Sequence, residues 1–259
     1  MDRTRMKSRV TLRRNTRRAR MGSATLLLLC ACLSRSDMFA GRYDGPFSPD
    51  PSFAQAGVFA LHVGSVDNLN WTPQGLAVQS DGRIVLAGSG GTAADGSFVA
   101  LRLRDDGTLD PSFGLGGVAN IDLGYLYELG QAVRLQPDGK IVLAGEVGSA
   151  AAAGHQVAVV RLLADGSLDS SFATVGWRTI DLLAGEDVVN GLVVLSDGRL
   201  RLCGHGWAVP LPASPDLVVY GLMADGAIET SFGTGGVVLV DFFGGDEFGG
   251  ACVAGGGDS

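Results

Sequence analysis

This sequence predicts an all-β chain of repeated four-stranded units, the blades of a β-propeller. Three observations carry that reading. A four-residue string recurs at a near-constant interval, Asp-Gly turn signals sit at fixed offsets inside each interval, and 40 glycines punctuate a 259-residue chain that is still 46% hydrophobic. Glycine at roughly twice its usual share of about 7%, in a chain this apolar, indicates many short strands joined by many turns.

The string is DPSF at 50–53 and 110–113, DSSF at 169–172 and ETSF at 229–232. Phe53, Phe113, Phe172 and Phe232 therefore stand 60, 59 and 60 residues apart. Self-similarity at such a period marks a repeat architecture. Four residues after each Phe comes Gly57, Gly117, Gly176 or Gly236, opening the runs VFALHV, VANIDL, WRTIDL and VVLVDF. The blocks GLAVQSDGRIVLAG (75–88), AVRLQPDGKIVLAG (132–145) and GLVVLSDGRLRLCG (191–204) follow in register. FVALRLRDDG (98–107), VAVVRLLADG (157–166) and LVVYGLMADG (217–226) complete each unit.

Each block has a physical reading. SDG, PDG and SDG between two apolar runs are hairpin turns, in which Pro137 presets the first corner and glycine takes the left-handed position. In the first complete unit the meander runs from an inner GLAVQ through RIVLAG and FVALRLR to an outer GVANIDL. The strands are apolar almost without alternation, as expected when both faces of a sheet are covered by neighbours. The connection between second and third strands (89–97, 146–156, 205–216) varies most and reads as a surface loop.

The second unit, 109–167, carries LDPSFG-x-GG-V, AVRLQPDGKIVLAG and a closing L-x-x-DGSLD, and it resembles the delta-60 repeat family. The resemblance extends over about residues 49–254. It implies a β-propeller fold and occurrence in exported bacterial proteins, and it implies no reaction. The third unit departs from the pattern, with RLRLCG in place of KIVLAG and Trp177-Arg178 after its glycine.

The expected organisation is an export signal and leader at 1–40 and a repeat array at 41–259, with units at 49–108, 109–167, 168–227 and 228–259. The array supplies a leading strand at 58–63, three whole blades, an outer strand at 237–242 and the start of an inner strand at 251–254. That count predicts an open or truncated propeller whose bare edges favour self-association.

Charge separates the leader from the array. Residues 1–48 hold 11 of the 20 Lys and Arg and 3 of the 27 acids, leaving 9 basic against 24 acidic residues, a balance of −15, in the rest. An acidic body repels phosphate backbones, so no nucleic-acid partner is expected. The basic leader is followed by ATLLLLCACL at 24–33, the pattern of a secretory signal and too short for a transmembrane helix. Leu29-Cys30-Ala31-Cys32 loosely resembles a lipobox, which would place a lipid anchor on Cys32. Cys203 and Cys252 fall in predicted strands and read as small buried fillers, with a disulfide between them as the alternative.

No catalytic, cofactor or metal residue is assigned. Asp122, Asp181 and Asp241 (His62 in the first unit) end the outer strands and read as strand-end caps rather than a calcium ring. Asp81, Asp138 and Asp197 belong to turns, and Ser52, Ser112, Ser171 and Ser231 to the recurring string. Catalysis needs an asymmetric cluster, which recurrence argues against. His62, His155 and His205 occupy unrelated repeat positions. The inner strands offer Gln79, Arg134 and Gln136 as polar groups. The loop at 203–216, with His205, Trp207 and three prolines, is the most distinctive stretch.

The expected function is therefore a non-catalytic, exported module for binding a protein or glycan ligand or for cell-surface scaffolding. The alternatives are a hydrolase or lyase with its site in the central channel, and a purely structural envelope protein. Export predicts a mature N-terminus near Cys32 or Ala40. Terminal sequencing of the protein from its producing cell checks this, and an intact Met1 in the cytoplasmic fraction would refute it.

Overall fold

Twelve strands form three four-stranded antiparallel meanders in the computed structural model, which describes residues 52–55, 58–59, 72–92, 95–148, 154–183, 186–207, 215–241 and 246–253. The expected signal at 1–40, Cys32, His62 and most of the expected leading strand at 58–63 lie outside the described residues. The first sheet holds β1 (Thr72–Val78), β2 (Ile84–Thr92), β3 (Asp95–Leu103) and β4 (Val118–Ile121). The second holds β5 (Tyr127–Leu135), β6 (Ile141–Gly148), β7 (Gln156–Leu162) and β8 (Trp177–Ile180). The third holds β9 (Asp187–Val194), β10 (Leu200–Gly206), β11 (Asp216–Leu222) and β12 (Val237–Val240). Strand order within every sheet follows chain order, so each sheet is one blade whose fourth strand comes from the head of the next sequence unit, and the all-β propeller-type architecture stands as expected.

The hydrophobic cores lie between blades. Val85, Ala87, Phe98 and Ala100 of the first sheet pack with Val133, Ile141, Leu143 and Val160 of the second. Ala144, Val157 and Val159 of the second pack with Val189, Leu192, Leu202 and Tyr220 of the third. Every residue of β6 is consequently buried, which explains its apolar run from Ile141 to Gly145. The five-residue loops between first and second strands place Gly82, Gly139 and Gly198 at φ 84–87°, the left-handed position the turn requires.

The recurring string is an inter-blade clamp. Phe113 and Phe172 are fully buried, and each lies beneath the Asp-Gly turn of the following blade. A Cβ on Gly166 would stand 3.0 Å from the Phe113 ring, and one on Gly226 would stand 2.6 Å from Phe172, so the glycine makes room for the aromatic ring. The residue after each Phe donates its N–H across the junction, Gly114 to Asp165 O and Ala173 to Asp225 O. Arg102 on β3 pairs with Asp110 at 2.8 Å, donates to Ser112 and to Ala164 O of the next unit, and lies 4.7 Å over Phe113. Arg161 on β7 repeats this with Asp169, Ser171, Ala224 O and Phe172. Burial opposes the charge on Asp169, but Ser171, Arg161 and Lys140 outweigh it and hold the carboxyl at about 2.

The third blade builds the clamp from the other side of a strand pair. Gly221 stands on β11 where β3 and β7 carry arginine, and its ladder partner on β10 is Arg201. In the other blades the same partners are Val85 and Val142. Arg201 lies 4.2 Å over Phe232 and forms an ion pair with Glu229 at 2.7 Å. The Phe232 ring fills the space a Gly221 Cβ would need, with atoms 2.6–2.9 Å from it. The departure RLRLCG is thus a cross-strand transfer of the cation.

Residues 246–253 form no strand, which differs from the inner strand expected at 251–254, yet they pack on the third sheet. The Asn190 amide donates to Gly249 O, and Cys252 is disulfide-bonded to Cys203 with Cα atoms 6.1 Å apart. This corrects the reading of two separate fillers. Cys203 pairs in the ladder with Gly191, and the missing side chain there lets Cys252 approach.

Phe172→Ala should cost about 3–5 kcal/mol, because it empties the socket beneath Gly226 and uncovers the Arg161 guanidinium. Denaturant unfolding measures this, and a loss below about 1 kcal/mol would show that the clamp does not hold the blades together.

Candidate functional site

At the end of the blades opposite the clamp, the inner strands carry a β-bulge. The β5–β6 register shifts between Gly130 and Ala132, and the β9–β10 register shifts between Val189 and Gly191. These bulges leave Gln131 and Asn190 outside the ladder, and a bulge re-aims its side chain. Gln131 bonds to the Glu146 carboxylate, and Asn190 reaches Gly249. Gly145 answers the same bulge, since a Cβ there would collide with Leu129 O.

The residue after that glycine differs in every blade: Ser89, Glu146 or His205. Their ladder partners Thr72, Leu129 and Val188 show that the three positions are equivalent. Ser89 accepts the Gly130 N–H. Glu146, whose side chain is 6% exposed, lies 3.4 Å from His155 Nδ1, and Glu186 reaches the same nitrogen at 3.1 Å. The His155 ring stacks on Tyr127, with centroids 4.5 Å apart. Main-chain bonds fix the frame, as His155 O accepts the Asp187 N–H and Glu186 O accepts the Trp207 N–H. Burial pushes the Glu146 carboxyl up, helped by Glu186 and opposed by His155 and Gln131. Burial and the two carboxylates also push the Tyr127 phenol up. His205 lies edge-on to Trp207 at 5.9 Å and to Phe248 at 4.9 Å, and burial pulls its imidazole down.

A second set of carboxylates is repeat-borne. Glu128, Asp187 and Glu247 each stand six residues after Asp122, Asp181 and Asp241, a spacing the sequence displays and the strand-end reading missed. Glu128 accepts the Leu123 and Tyr125 N–H groups and so closes the turn out of β4. Asp187 accepts the Tyr220 hydroxyl. Burial pushes Asp187 up to about 6 despite that bond, with Asp181 adding to the effect.

The structure keeps the candidate aspartates apart. Asp122 accepts the Gly124 N–H, Asp181 accepts the Gln156 amide, and Asp241 joins Asp216 and Glu247 with one oxygen of each within 4.8 Å of the others. These last three are the described residues whose geometry could hold a cation. The turn residues Asp138 and Asp197 bond their own loops, accepting from Lys140 and Arg199, while Ser112 and Ser171 belong to the clamp. Gln136 donates to Gly198 O of the next blade and lines a cleft of about 550 Å³ with Lys140, Arg161 and Asp225. Arg134 turns back to Val133 O. Of the distinctive loop, 208–214 lies outside the described residues. Among the described residues, no helix is long and apolar enough to cross a membrane.

Residues 79–113 and 136–172 match the family model described as a domain of unknown function (DUF5122) beta-propeller, the repeat type that the sequence resemblance implied. No curated protein matches the chain. Among solved structures, a catalytically inactive variant of virginiamycin B lyase from Staphylococcus aureus with quinupristin is similar at 12% identity and a TM-score of 0.30, covering 75% of this chain and 77% of that one. The selenomethionine-substituted lyase of the same organism is similar at 14% identity and a TM-score of 0.25, covering 72% and 75%.

The raised Asp187 carboxyl sets a direction with pH. Its folded value lies above its unfolded one, so its contribution to stability is whole below about pH 4 and is lost as pH rises through about 6. Asp187→Asn should therefore gain stability relative to the parent across that window. Thermal unfolding of both proteins from pH 4 to 7 checks this, and a constant difference would show that Asp187 is not the titrating group.

Proposed function

We propose that this chain is an exported, non-catalytic propeller module of the delta-60 type that binds a protein or glycan ligand. The observation that supports it is the contrast between the two ends of the blades. At the Asp-Gly turns the recurring Arg, Asp, Ser and Phe are consumed in the inter-blade clamp. At the other end stand the unlike residues Tyr127, Glu146, His155, Glu186, His205, Trp207 and Phe248, where the blade-specific loops open. Aromatic side chains with polar neighbours are what recognition surfaces concentrate. The basic leader and apolar run that precede the array support export.

Profiling the purified body on peptide and glycan arrays tests the reading. Saturable binding is expected, weakened about tenfold or more by Tyr127→Ala and Trp207→Ala, as for interface anchors. Asp138→Asn, on a turn at the clamp end, should leave it unchanged. Chemical turnover of a bound ligand would overturn the non-catalytic reading, and binding indifferent to both aromatic substitutions would overturn the assignment of the face.

A further inference from the structure

We propose that Glu146, Glu186, His155 and Tyr127 form a site for a primary ammonium group, carried by a lysine side chain of the partner. This rests on the reading of their end of the blades as the binding face.

Charge balance points to the ligand. Among the described residues, each of the other buried carboxylates has a donor from within the chain. Asp110 has Arg102 and Arg83, Asp169 has Arg161 and Lys140, and Glu229 has Arg199 and Arg201. Glu128 has two main-chain N–H donors, and Asp187 has a phenol hydroxyl. Among the described residues, Glu146 and Glu186 have no Lys or Arg partner, and both converge on one imidazole nitrogen. A neutral imidazole carries at most one proton on Nδ1, so one N–H serves two carboxylates, and Gln131 adds only a neutral amide donor to the buried Glu146. A cationic donor is what that arrangement lacks, and burying a carboxylate without one is costly.

The shape and surroundings select the kind of cation. Tyr127 stacks on the imidazole, and its phenol feels the charge of both carboxylates and so stands beside them. An ammonium offers three N–H donors in a compact head, enough for both carboxylates and the phenol oxygen. The alkyl stem of a lysine could then lie along the apolar edges of Trp207 and Phe248, which flank His205 on the adjoining blade. A body with a formal balance of −15 draws cations and repels anions at long range.

The site also carries its own competitor. The charged and titratable groups facing His155 are Tyr127 from β5, Glu146 from β6 and Glu186 from the approach to β9. When His155 is protonated, the imidazolium is itself the cation between the carboxylates and repels an incoming ammonium. Burial also pushes the Glu146 carboxyl up, and its protonation removes the charge that holds the ammonium, so affinity must rise with pH.

Titration calorimetry on the full chain with the neutral-ended peptide acetyl-Gly-Lys-Gly-amide decides the matter. Saturable binding is expected at about pH 8, about tenfold weaker at about pH 5.5, and weakened at least about tenfold by Glu186→Gln, the cost of one charge contact. His155→Gln keeps a neutral donor in place, so it should still bind at about pH 8. Circular dichroism of each variant guards against loss of fold. No saturable binding at pH 8, affinity that falls with rising pH, or a Glu186→Gln protein that binds as well as the parent would overturn the proposal. Binding of spermidine without the peptide would overturn the lysyl source. A glycan or peptide that depends on Tyr127 and Trp207 but shows no lysine preference would defeat this inference and leave the binding face intact. Dependence of no ligand on these residues would defeat both.

Discussion

Each junction between blades turns on a buried guanidinium that is satisfied on every side. Arg102 and Arg161 spend their donors on the carboxylate and serine of their own blade and on a carbonyl of the next, with an aromatic ring beneath. A buried ion pair is weak evidence of net stabilisation, because desolvation consumes much of the Coulomb gain. Its value here is geometric. The carbonyl of Ala164 or Ala224 can accept that bond in one placement of the following unit, so the guanidinium fixes how successive sheets are set. The interdigitated aliphatic cores then fill the space so defined.

That division of labour frees the opposite end. There the bulge pushes one residue per inner strand out of the ladder, and the position beside it tolerates serine, glutamate or histidine without disturbing the sheet. The neighbouring loops differ in length for the same reason. The array therefore separates a conserved-geometry end, where substitution breaks packing, from a variable end, where substitution changes chemistry. Loops on a rigid scaffold are where binding residues collect.

The third blade shows that the clamp is a constraint on geometry rather than on residue identity. Moving the cation from β11 to Arg201 on β10 keeps it over the phenylalanine, since the two positions are directly opposite in the ladder. Glutamate replaces aspartate, and Arg199 and Arg201 pull the Glu229 carboxyl down as their counterparts do for Asp169. The disulfide follows the same logic. It uses the close approach over Gly191, which Gly75 provides over Val133 in the first blade.

Blade number, strand order and turn positions were legible in the sequence because they rest on local chemistry. Asp-Gly turns fix hairpins wherever they occur, and a 60-residue recurrence repeats one local solution. The burial of Phe113 and Phe172 was legible too, since an aromatic recurring in register has few other uses. The role of Arg102 and Arg161 was not, because their partners lie 62 and 63 residues away across a junction. Nor was the exchange of Gly221 for Arg201, which makes sense only once the β10–β11 register is known. His155 falls at an unrepeated position and by sequence spacing belongs to nothing. Tertiary structure alone brings it to Glu146 and, from the next unit, Glu186, because the stacking of one sheet on another decides which loop meets which inner strand.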